Sequence, residues 1–390
     1  MTENAVLNPE PSPDREPPAG ADQMIQLIRE SWAEAEQHEQ DVAKFFYGML
    51  FSLSPATREL FPVNMEVQRS RLLRALVHVI QMVDRPDELL PFLHQLGRDH
   101  RKFGVIAGHY ESLGTALLAA VKKYAPETWN DEVERAWAEA YTVMASAMTE
   151  AAAADEGPAW YTGEVVHRER LSWELALVRV RPDHPLPYRA GQYVSVEAPQ
   201  RPRLWRYLTP ANAPREDGLL EFHVRAVEGG WVSRALVGHA QPGDEWRMGS
   251  PMGQLTVDRE SDRDVLMVAG GTGVATMHAI IEDLAEYGEN PHVQLFYGAR
   301  TAEELHDLDN LRQIAADNPW LSVTPVVEND ADEVDAEQGT LADVVTAHGD
   351  WAEREVLVSG SPAMIRATVS KMLVAGTPLD RIQYDPFTMD

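Results

Sequence analysis

The chain has 390 residues, of which 44% are hydrophobic and 25% charged, as in a soluble globular protein too long for a single core. Its 62 acidic residues outnumber 34 basic ones, and the formal net charge of −28 disfavours binding to nucleic acid or anionic membranes. The absence of cysteine excludes disulfides and thiolate metal sites. No apolar run is long enough to span a bilayer and no signal pattern begins the chain, so a cytoplasmic protein is expected.

The first part of the chain divides into a tail and a helical domain. Residues 1–20 are rich in proline and charge, which predicts a disordered tail. From about Asp22 to Glu150, apolar residues recur at intervals of three and four, which predicts an all-α domain over residues 21–154. Breaks between its helices are expected at SPA, DRP, GVIAG and AP, near residues 54, 84, 104 and 125.

The periodicity changes after the hinge AAAADEGPAW at residues 151–160. Residues 155–260 alternate apolar and polar side chains between clusters of turn residues, which predicts a small antiparallel β-barrel. From Asp264 onward strands alternate with helices, so residues 261–390 are expected to form an α/β domain with a parallel sheet. The predicted fold is therefore multidomain: all-α, then β-barrel, then α/β.

Two glycine turns in the predicted α/β domain have the pattern of nucleotide-binding loops. The stretch DVLMVAGGTGVATMHAII is a strand, a glycine turn and a helix start, where free backbone N–H groups and the helix dipole attract a pyrophosphate. A second strand-to-helix turn, VSGSPAMI, is expected to border the nicotinamide. The candidate residues of the two turns are Gly270, Gly271, Thr272, Gly273, Val274, Ala275, Thr276, Ser359 and Gly360.

The predicted barrel carries a second candidate site, RLWRYLTPAN. Arg206 is suited to a phosphate, Tyr207 or Leu208 to the face of a planar ring, and Thr209 to its polar edge. GGWVSRAL, farther along the chain, places Ser233 at a helix start, a position that favours phosphate.

The order of these motifs resembles that of the ferredoxin–NADP reductase family. With the helical domain in front, the chain from about residue 22 to 387 resembles a flavohaemoglobin, a globin domain joined to a reductase module. The resemblance implies haem b, FAD and NAD(P)H as cofactors. This sequence departs from the family's usual residues at Leu208 (aromatic), Thr276 (proline), Ser359 (cysteine) and Ala152 (glutamate).

The resemblance also implies roles for individual residues. His100, in LGRDHRKF, corresponds to the proximal ligand of the haem iron, and Phe61 and Leu72 correspond to haem-pocket residues. Tyr47, Gln68 and Tyr110 correspond to the catalytic side chains around the haem. Tyr193 and Phe387 correspond to flavin-contacting aromatics, with Asp385 beside Phe387.

The activity that the resemblance implies is nitric oxide dioxygenation, with O2 and nitric oxide as small-molecule partners and a monomeric protein. Two alternatives stay open from the sequence. One is an NAD(P)H-dependent haem or flavin reductase with another acceptor, such as a peroxide. The other is a gas-binding globin whose flavin binding is weakened by Leu208. Arg300, in YGAR, leaves the choice between NADH and NADPH open.

Overall fold

The computed structural model describes residues 20–286, 289–329 and 335–385. Its contacts divide into two compact units: Met1–Gly97 with Ile106–Ala151, and Arg98–Val105 with Ala152–Asp390. Except for Gly20, the predicted tail lies outside the described residues.

The all-α region contains the helices that the periodicity predicts. They are α1 (Ala21–Ala35), α2 (Glu39–Leu53), α3 (Glu66–Met82), α4 (Pro86–His100), α5 (His109–Tyr124) and α6 (Asp131–Ala154). Each expected break falls where a helix ends, after residues 53, 82, 100 and 124. Gly104 ends the turn after α4 with a φ of 76°, a conformation that glycine adopts without strain. The all-α prediction is therefore confirmed.

Apolar faces of these helices form one core in the first unit. Its largest buried side chains include Trp32, Phe46, Leu50 and Trp137. The backbones of α4 and α6 nearly touch at Gly97, where an added Cβ would lie 2.2 Å from the Met148 carbonyl oxygen. Only glycine allows this approach.

The region after the hinge forms the predicted barrel. Its strands are β1 (Tyr161–Arg170), β2 (Leu175–Pro182), β3 (Val194–Glu197), β4 (Arg206–Leu208), β5 (Leu220–Arg225) and β6 (Glu245–Met248). They pair in the order β4-β3-β6-β1-β2-β5, all antiparallel. A bridge between Pro210 and Phe222 links the two edges and nearly closes the barrel. One helix, α7 (Trp231–His239), buries Val232, Leu236 and Val237 in the barrel core.

The C-terminal region forms the predicted parallel sheet. The strands described there are β7 (Val265–Gly270), β8 (Val293–Ala299), β9 (Leu321–Val327), β10 (Glu337–Gln338), β11 (Glu355–Ser359) and β12 (Ile382–Tyr384). The helices are α8 (Val274–Ala285), α9 (Leu308–Asp317), α10 (Leu341–His348) and α11 (Pro362–Val374). The helix expected near 303–317 begins later, at Leu308, because a short 3-10 turn occupies Ala302–Glu304.

The strand order of this sheet, β10-β9-β8-β7-β11-β12, determines where a ligand can bind. After β7 the chain adds β8, β9 and β10 on one side of that strand. It then returns to the other side of β7 and adds β11 and β12. In open parallel sheets, ligands bind beyond the carboxyl ends of the strands at such a reversal. The fold therefore brings the two predicted glycine turns together, since one follows β7 and the other follows β11.

Candidate functional site

The first unit brings together four of the residues predicted to surround a haem. Tyr47 lies on α2 and is buried, and its ring meets Phe61 edge-to-face at 5.4 Å between centroids. Its hydroxyl donates a hydrogen bond to the backbone carbonyl of Gln68, at 3.4 Å. Gln68 and Leu72 are four residues apart on α3 and so share one face of the helix. Burial raises the pKa of Tyr47 well above its usual range, so the hydroxyl keeps its proton and remains a donor.

Tyr110 is the second residue of α5 and is half-buried. Burial raises the pKa of its hydroxyl. Its backbone carbonyl accepts a hydrogen bond from the hydroxyl of Tyr141 on α6, at 2.5 Å. Tyr141, which the sequence did not single out, also packs against Gly114, where a Cβ would lie 2.5 Å from its ring. Ala152 stands in the last turn of α6, so an alanine occupies the place that corresponds to the family's glutamate.

His100 is the last residue of α4 and is half-buried. It belongs to the segment Arg98–Val105, which forms one compact unit with the barrel and the parallel-sheet region. Its ring meets Phe103 edge-to-face at 5.9 Å.

Lys102 anchors this segment to the barrel. The side chain is only 2% exposed, and its ammonium lies 2.5 Å from Asp99 Oδ1. It also lies 4.9–5.3 Å from the ring centroids of Phe103, Trp205 and Tyr207. The hydroxyl of Tyr207 donates to the other oxygen of Asp99, at 3.4 Å. An ion pair thus lies inside an aromatic cage directly beside His100.

Strand β4 carries the candidate flavin residues. It pairs regularly with β3, so Arg206 and Leu208 face one side and Tyr207 the other. Leu208 packs against the barrel core, whereas Tyr207 meets Tyr193 edge-to-face at 5.2 Å. Thr209 follows the strand directly. Because no bulge interrupts the pairing, Tyr207 does not share the face of Arg206.

The turn before α7 is closely fitted around Ser233. The buried hydroxyl accepts a hydrogen bond from the Val227 amide at 3.3 Å, and a Cβ on Gly230 would lie 2.4 Å from it. A side chain at residue 230 would therefore force Ser233 and Val227 to move.

Near the end of the described chain, Asp385 lies close to Tyr193. A Cβ on Gly253 would be 2.9 Å from Asp385 Oδ2 and 3.0 Å from the Tyr193 ring. Burial raises the pKa of Asp385 to about 6, although its carboxylate accepts a hydrogen bond from the Gln254 amide at 3.2 Å. The predicted flavin contact Phe387 lies outside the described residues.

The glycine turn after β7 is followed by α8, as its sequence indicates. Gly270 ends the strand, a 3-10 turn spans Gly271–Gly273, and Thr272 is its middle residue. Gly271 has a φ of 55°, and a Cβ on Gly273 would lie 2.5 Å from the Ser359 carbonyl oxygen. The backbone of this turn is therefore in close contact with the backbone at the end of β11. Val274, Ala275 and Thr276 form the buried first turn of α8.

Two departures from the family's usual residues meet at this point. The hydroxyl of Ser359, beside Gly360 at the end of β11, donates to the hydroxyl of Thr276 at 3.1 Å. Both side chains are buried. A polar pair thus links the two glycine turns.

Sequence reasoning missed Arg225 and Glu304, which lie beside the same turn. The Arg225 Nη1 atom is 3.5 Å from the point where a Cβ on Gly271 would stand, and Nη2 is 3.1 Å from Glu304 Oε1. Among the described residues, the buried Nε atom of Arg225 has no hydrogen-bond partner. A buried donor without an acceptor beside a nucleotide turn favours an anionic ligand. The spacing along the chain gave no signal for this pair, because the two residues come from different regions.

Three family models match the chain in succession. The globin family matches residues 44–148, the oxidoreductase FAD-binding domain matches 162–257, and the oxidoreductase NAD-binding domain matches 267–370. A flavohemoprotein from Chromobacterium violaceum is 26% identical and aligns over 94% of this chain and 98% of its own length. The chain thus combines a globin domain with FAD-binding and NAD-binding oxidoreductase domains and is similar to flavohemoproteins over nearly its whole length.

Other relatives match parts or the whole of this chain. The reductase component of phenol 2-monooxygenase from a Pseudomonas species is 31% identical over 55% of this chain. The chain spans 61% of that relative's length. The crystal structure of a flavohemoglobin from Malassezia yamatoensis, with bound FAD and heme, has a similar fold. It has a TM-score of 0.78 at 17% identity and covers 93% of this chain and 98% of that one.

The family domains imply haem, FAD and NAD(P)H, and the residues present fit them. His100 offers an imidazole, the side chain that most often binds globin iron. Ser233 offers a hydroxyl in the first turn of α7, a position that suits a phosphate, and the unpartnered Nε of Arg225 suits a pyrophosphate. The described residues contain no cluster of three or more His, Cys, Asp or Glu side chains arranged to hold a metal ion. Within those ranges, no helix combines the length and apolarity needed to cross a membrane.

Proposed function

We propose that this chain is a flavohaemoglobin and acts as a nitric oxide dioxygenase driven by NAD(P)H. Each nitric oxide molecule consumes one O2 and one electron and yields one nitrate ion, and each NAD(P)H supplies two electrons as a hydride. The bound haem and FAD supply this redox chemistry. The observation that carries the proposal is the buried Tyr47 hydroxyl of the globin region, which keeps its proton, in a chain that also carries FAD-binding and NAD-binding oxidoreductase domains.

The proposed role of the first unit is to bind and orient O2. Tyr47 would donate its hydroxyl hydrogen to an O2 molecule held in the pocket, because a donor placed in advance stabilises negative charge that develops on the gas. The Gln68 carbonyl holds the hydroxyl in place until the gas binds. Phe61 and Leu72 exclude water from the pocket, and Tyr110 supports the proximal side. His100 is the proposed proximal ligand of the iron.

The second unit is proposed to position FAD and the nicotinamide nucleotide. Arg206 and Ser233 would bind flavin phosphates, Thr209 would contact the polar edge of the isoalloxazine, and Tyr193 would contact its face, whereas Leu208 packs against the barrel core. The turn Gly270–Gly273 and the first residues of α8 bind the pyrophosphate, while Ser359 and Gly360 border the nicotinamide. A cytoplasmic, monomeric protein remains the prediction from the sequence.

The test measures nitric oxide with an electrode, and nitrate as product, in air with NADH and the haem- and FAD-loaded full-length protein. We expect consumption of nitric oxide with equimolar nitrate. His100→Ala should abolish nitrate formation but leave NADH–ferricyanide reduction intact, because that reaction requires only nucleotide and flavin. His94→Ala, a histidine change on the same helix, should retain both activities.

Two outcomes would overturn the proposal. NADH oxidation with peroxide but without nitric oxide consumption would identify a reductase with another acceptor. Haem without FAD in the loaded protein would identify a gas-binding globin.

A further inference from the structure

The carboxyl end of β8 is where this chain can distinguish NADH from NADPH. The strand pairs in parallel with β7 and ends at Ala299, next to the pyrophosphate turn. In folds of this topology, the adenosine ribose lies beyond the strand next to that turn. An acidic side chain there accepts a hydrogen bond from the ribose 2′-hydroxyl of NADH, and a free arginine there binds the 2′-phosphate of NADPH.

Arg300, the residue after β8, is not free. Its Nη2 atom lies 2.6 Å from Glu304 Oε1 and 3.9 Å from Glu174 Oε2. Glu328, after β9, also interacts electrostatically with Arg300. The hydrogen bond to Glu304 raises the pKa of Arg300.

Glu304 also binds Arg225 and so connects the end of β8 to the pyrophosphate turn. Its Oε1 atom accepts from Arg300 at 2.6 Å and lies 3.1 Å from Arg225 Nη2. The Glu304 side chain is 19% exposed, so water screens these pairs only in part. Arg225 and Arg300 both pair with Glu304, and Arg300 also interacts with Glu174 and Glu328. Three carboxylates therefore balance the two guanidinium groups.

We propose that Glu304 makes this flavohaemoglobin select NADH over NADPH. A 2′-phosphate carries nearly two negative charges. It would have to displace Glu304 from Arg300 and approach Glu174 and Glu328. A 2′-hydroxyl is neutral and can donate a hydrogen bond to a carboxylate instead. The selectivity for NADH thus comes from repulsion between the carboxylates and the 2′-phosphate, as well as from the hydrogen bond that the 2′-hydroxyl donates.

This proposal rests on nucleotide binding by the α/β domain and goes beyond nitric oxide dioxygenation. The experiment therefore follows NADH and NADPH oxidation with ferricyanide as acceptor, in the FAD-loaded full-length protein, at constant ionic strength. The readout is the ratio of kcat/KM for the two nucleotides. Failure of nitric oxide consumption would leave this ratio measurable, so the two proposals fail separately.

We expect the wild-type protein to favour NADH by at least about tenfold, since a hydrogen bond to a charged group changes binding by that order. Glu304→Gln keeps the shape and removes the charge, and it should reduce the ratio about tenfold, mainly by lowering KM for NADPH. Glu303→Gln, the same change at the neighbouring exposed residue, should leave the ratio unchanged.

A second measurement uses the unmodified protein, so that the proposal can be tested even if the Glu304→Gln variant does not fold. Adenosine 5′-monophosphate should inhibit NADH oxidation more strongly than adenosine 2′,5′-bisphosphate, because only the second carries the 2′-phosphate. Stronger inhibition by the bisphosphate, equal use of NADH and NADPH, or an unchanged ratio in Glu304→Gln would each overturn the proposal.

Discussion

At the scale of single residues, the hydroxyl of Tyr47 is the group whose removal tests the proposed O2 site. We expect Tyr47→Phe to speed O2 dissociation from the haem-loaded protein about tenfold, because one hydrogen bond is worth about 1–1.5 kcal/mol. Stopped-flow mixing of the oxygenated protein with an O2 scavenger measures the rate. Tyr124→Phe is the matched control in the same unit, and its rate should equal that of the wild type. An unchanged rate in Tyr47→Phe would remove the hydroxyl from the mechanism.

The proximity of some site residues was predictable, although their roles stay predictions. The resemblance pointed to Tyr47 and Gln68, and the structure brings both together. It is the backbone carbonyl of Gln68, however, that accepts the hydrogen bond from Tyr47. Every residue has such a carbonyl, so no sequence pattern could have indicated this contact.

At the scale of elements, His278 connects α8 to α9 and to the barrel. Its Nδ1 atom lies 2.6 Å from Asp307 Oδ2, just before α9, and its Nε2 atom lies 3.5 Å from Glu282. Glu282 in turn accepts from the Ala213 amide at 2.9 Å and from Arg215 at 3.0 Å. Burial alone would lower the pKa of His278, but its two carboxylate partners outweigh burial and raise that pKa to about 10.

This raised pKa predicts how stability changes with pH. Because the folded pKa lies above the ordinary value of 6.5, the stabilisation is complete below pH 6.5 and is lost as pH rises towards 10. We expect His278→Gln to lower the free energy of unfolding on the order of 2 kcal/mol at pH 6, and by much less at pH 10. Urea denaturation at both pH values measures the difference. His292→Gln, at an exposed position, is the control, and an equal loss at both pH values would contradict the prediction.

The elements themselves were predictable because their signals are local. Proline and glycine breakers fixed the helix ends near residues 53 and 82, and one glycine run marked the turn before α8. Contacts between distant segments were not predictable. The sequence identified Thr276 and Ser359 as separate departures from the family pattern, whereas in the fold they form one hydrogen bond. Likewise, Glu304 meets Arg225 only because the barrel and the parallel sheet pack together.

At the scale of the whole molecule, a short segment inside the globin match belongs with the reductase. The segment Arg98–Val105 lies within the residues matched by the globin family, 44–148, yet it forms one unit with Ala152–Asp390. The buried pair of Lys102 and Asp99, enclosed by Trp205 and Tyr207, accounts for this grouping. The sequence periodicity cannot show this boundary between the units, because the helical pattern continues without change through α4.

We expect Lys102→Met to destabilise this unit by about 3–5 kcal/mol, since it leaves the Asp99 carboxylate buried without its cation. Urea unfolding followed by tryptophan fluorescence measures the effect. The double variant Asp99→Asn with Lys102→Met should recover much of the loss, because no unpaired charge remains. If the double variant is as unstable as the single one, packing rather than charge holds the segment.

The chain passes between its two units after Gly97, after Val105 and again after Ala151. Division of the chain at one position therefore cannot give two fragments that each contain one whole unit. A fragment that ends at Ala151 carries Lys102 without Trp205 and Tyr207, and a fragment that begins at Ala152 lacks the Lys102 side chain that these rings surround. In a chimera that joins the globin region of one relative to the reductase region of another, residues 98–105 should therefore come from the relative that supplies the reductase region.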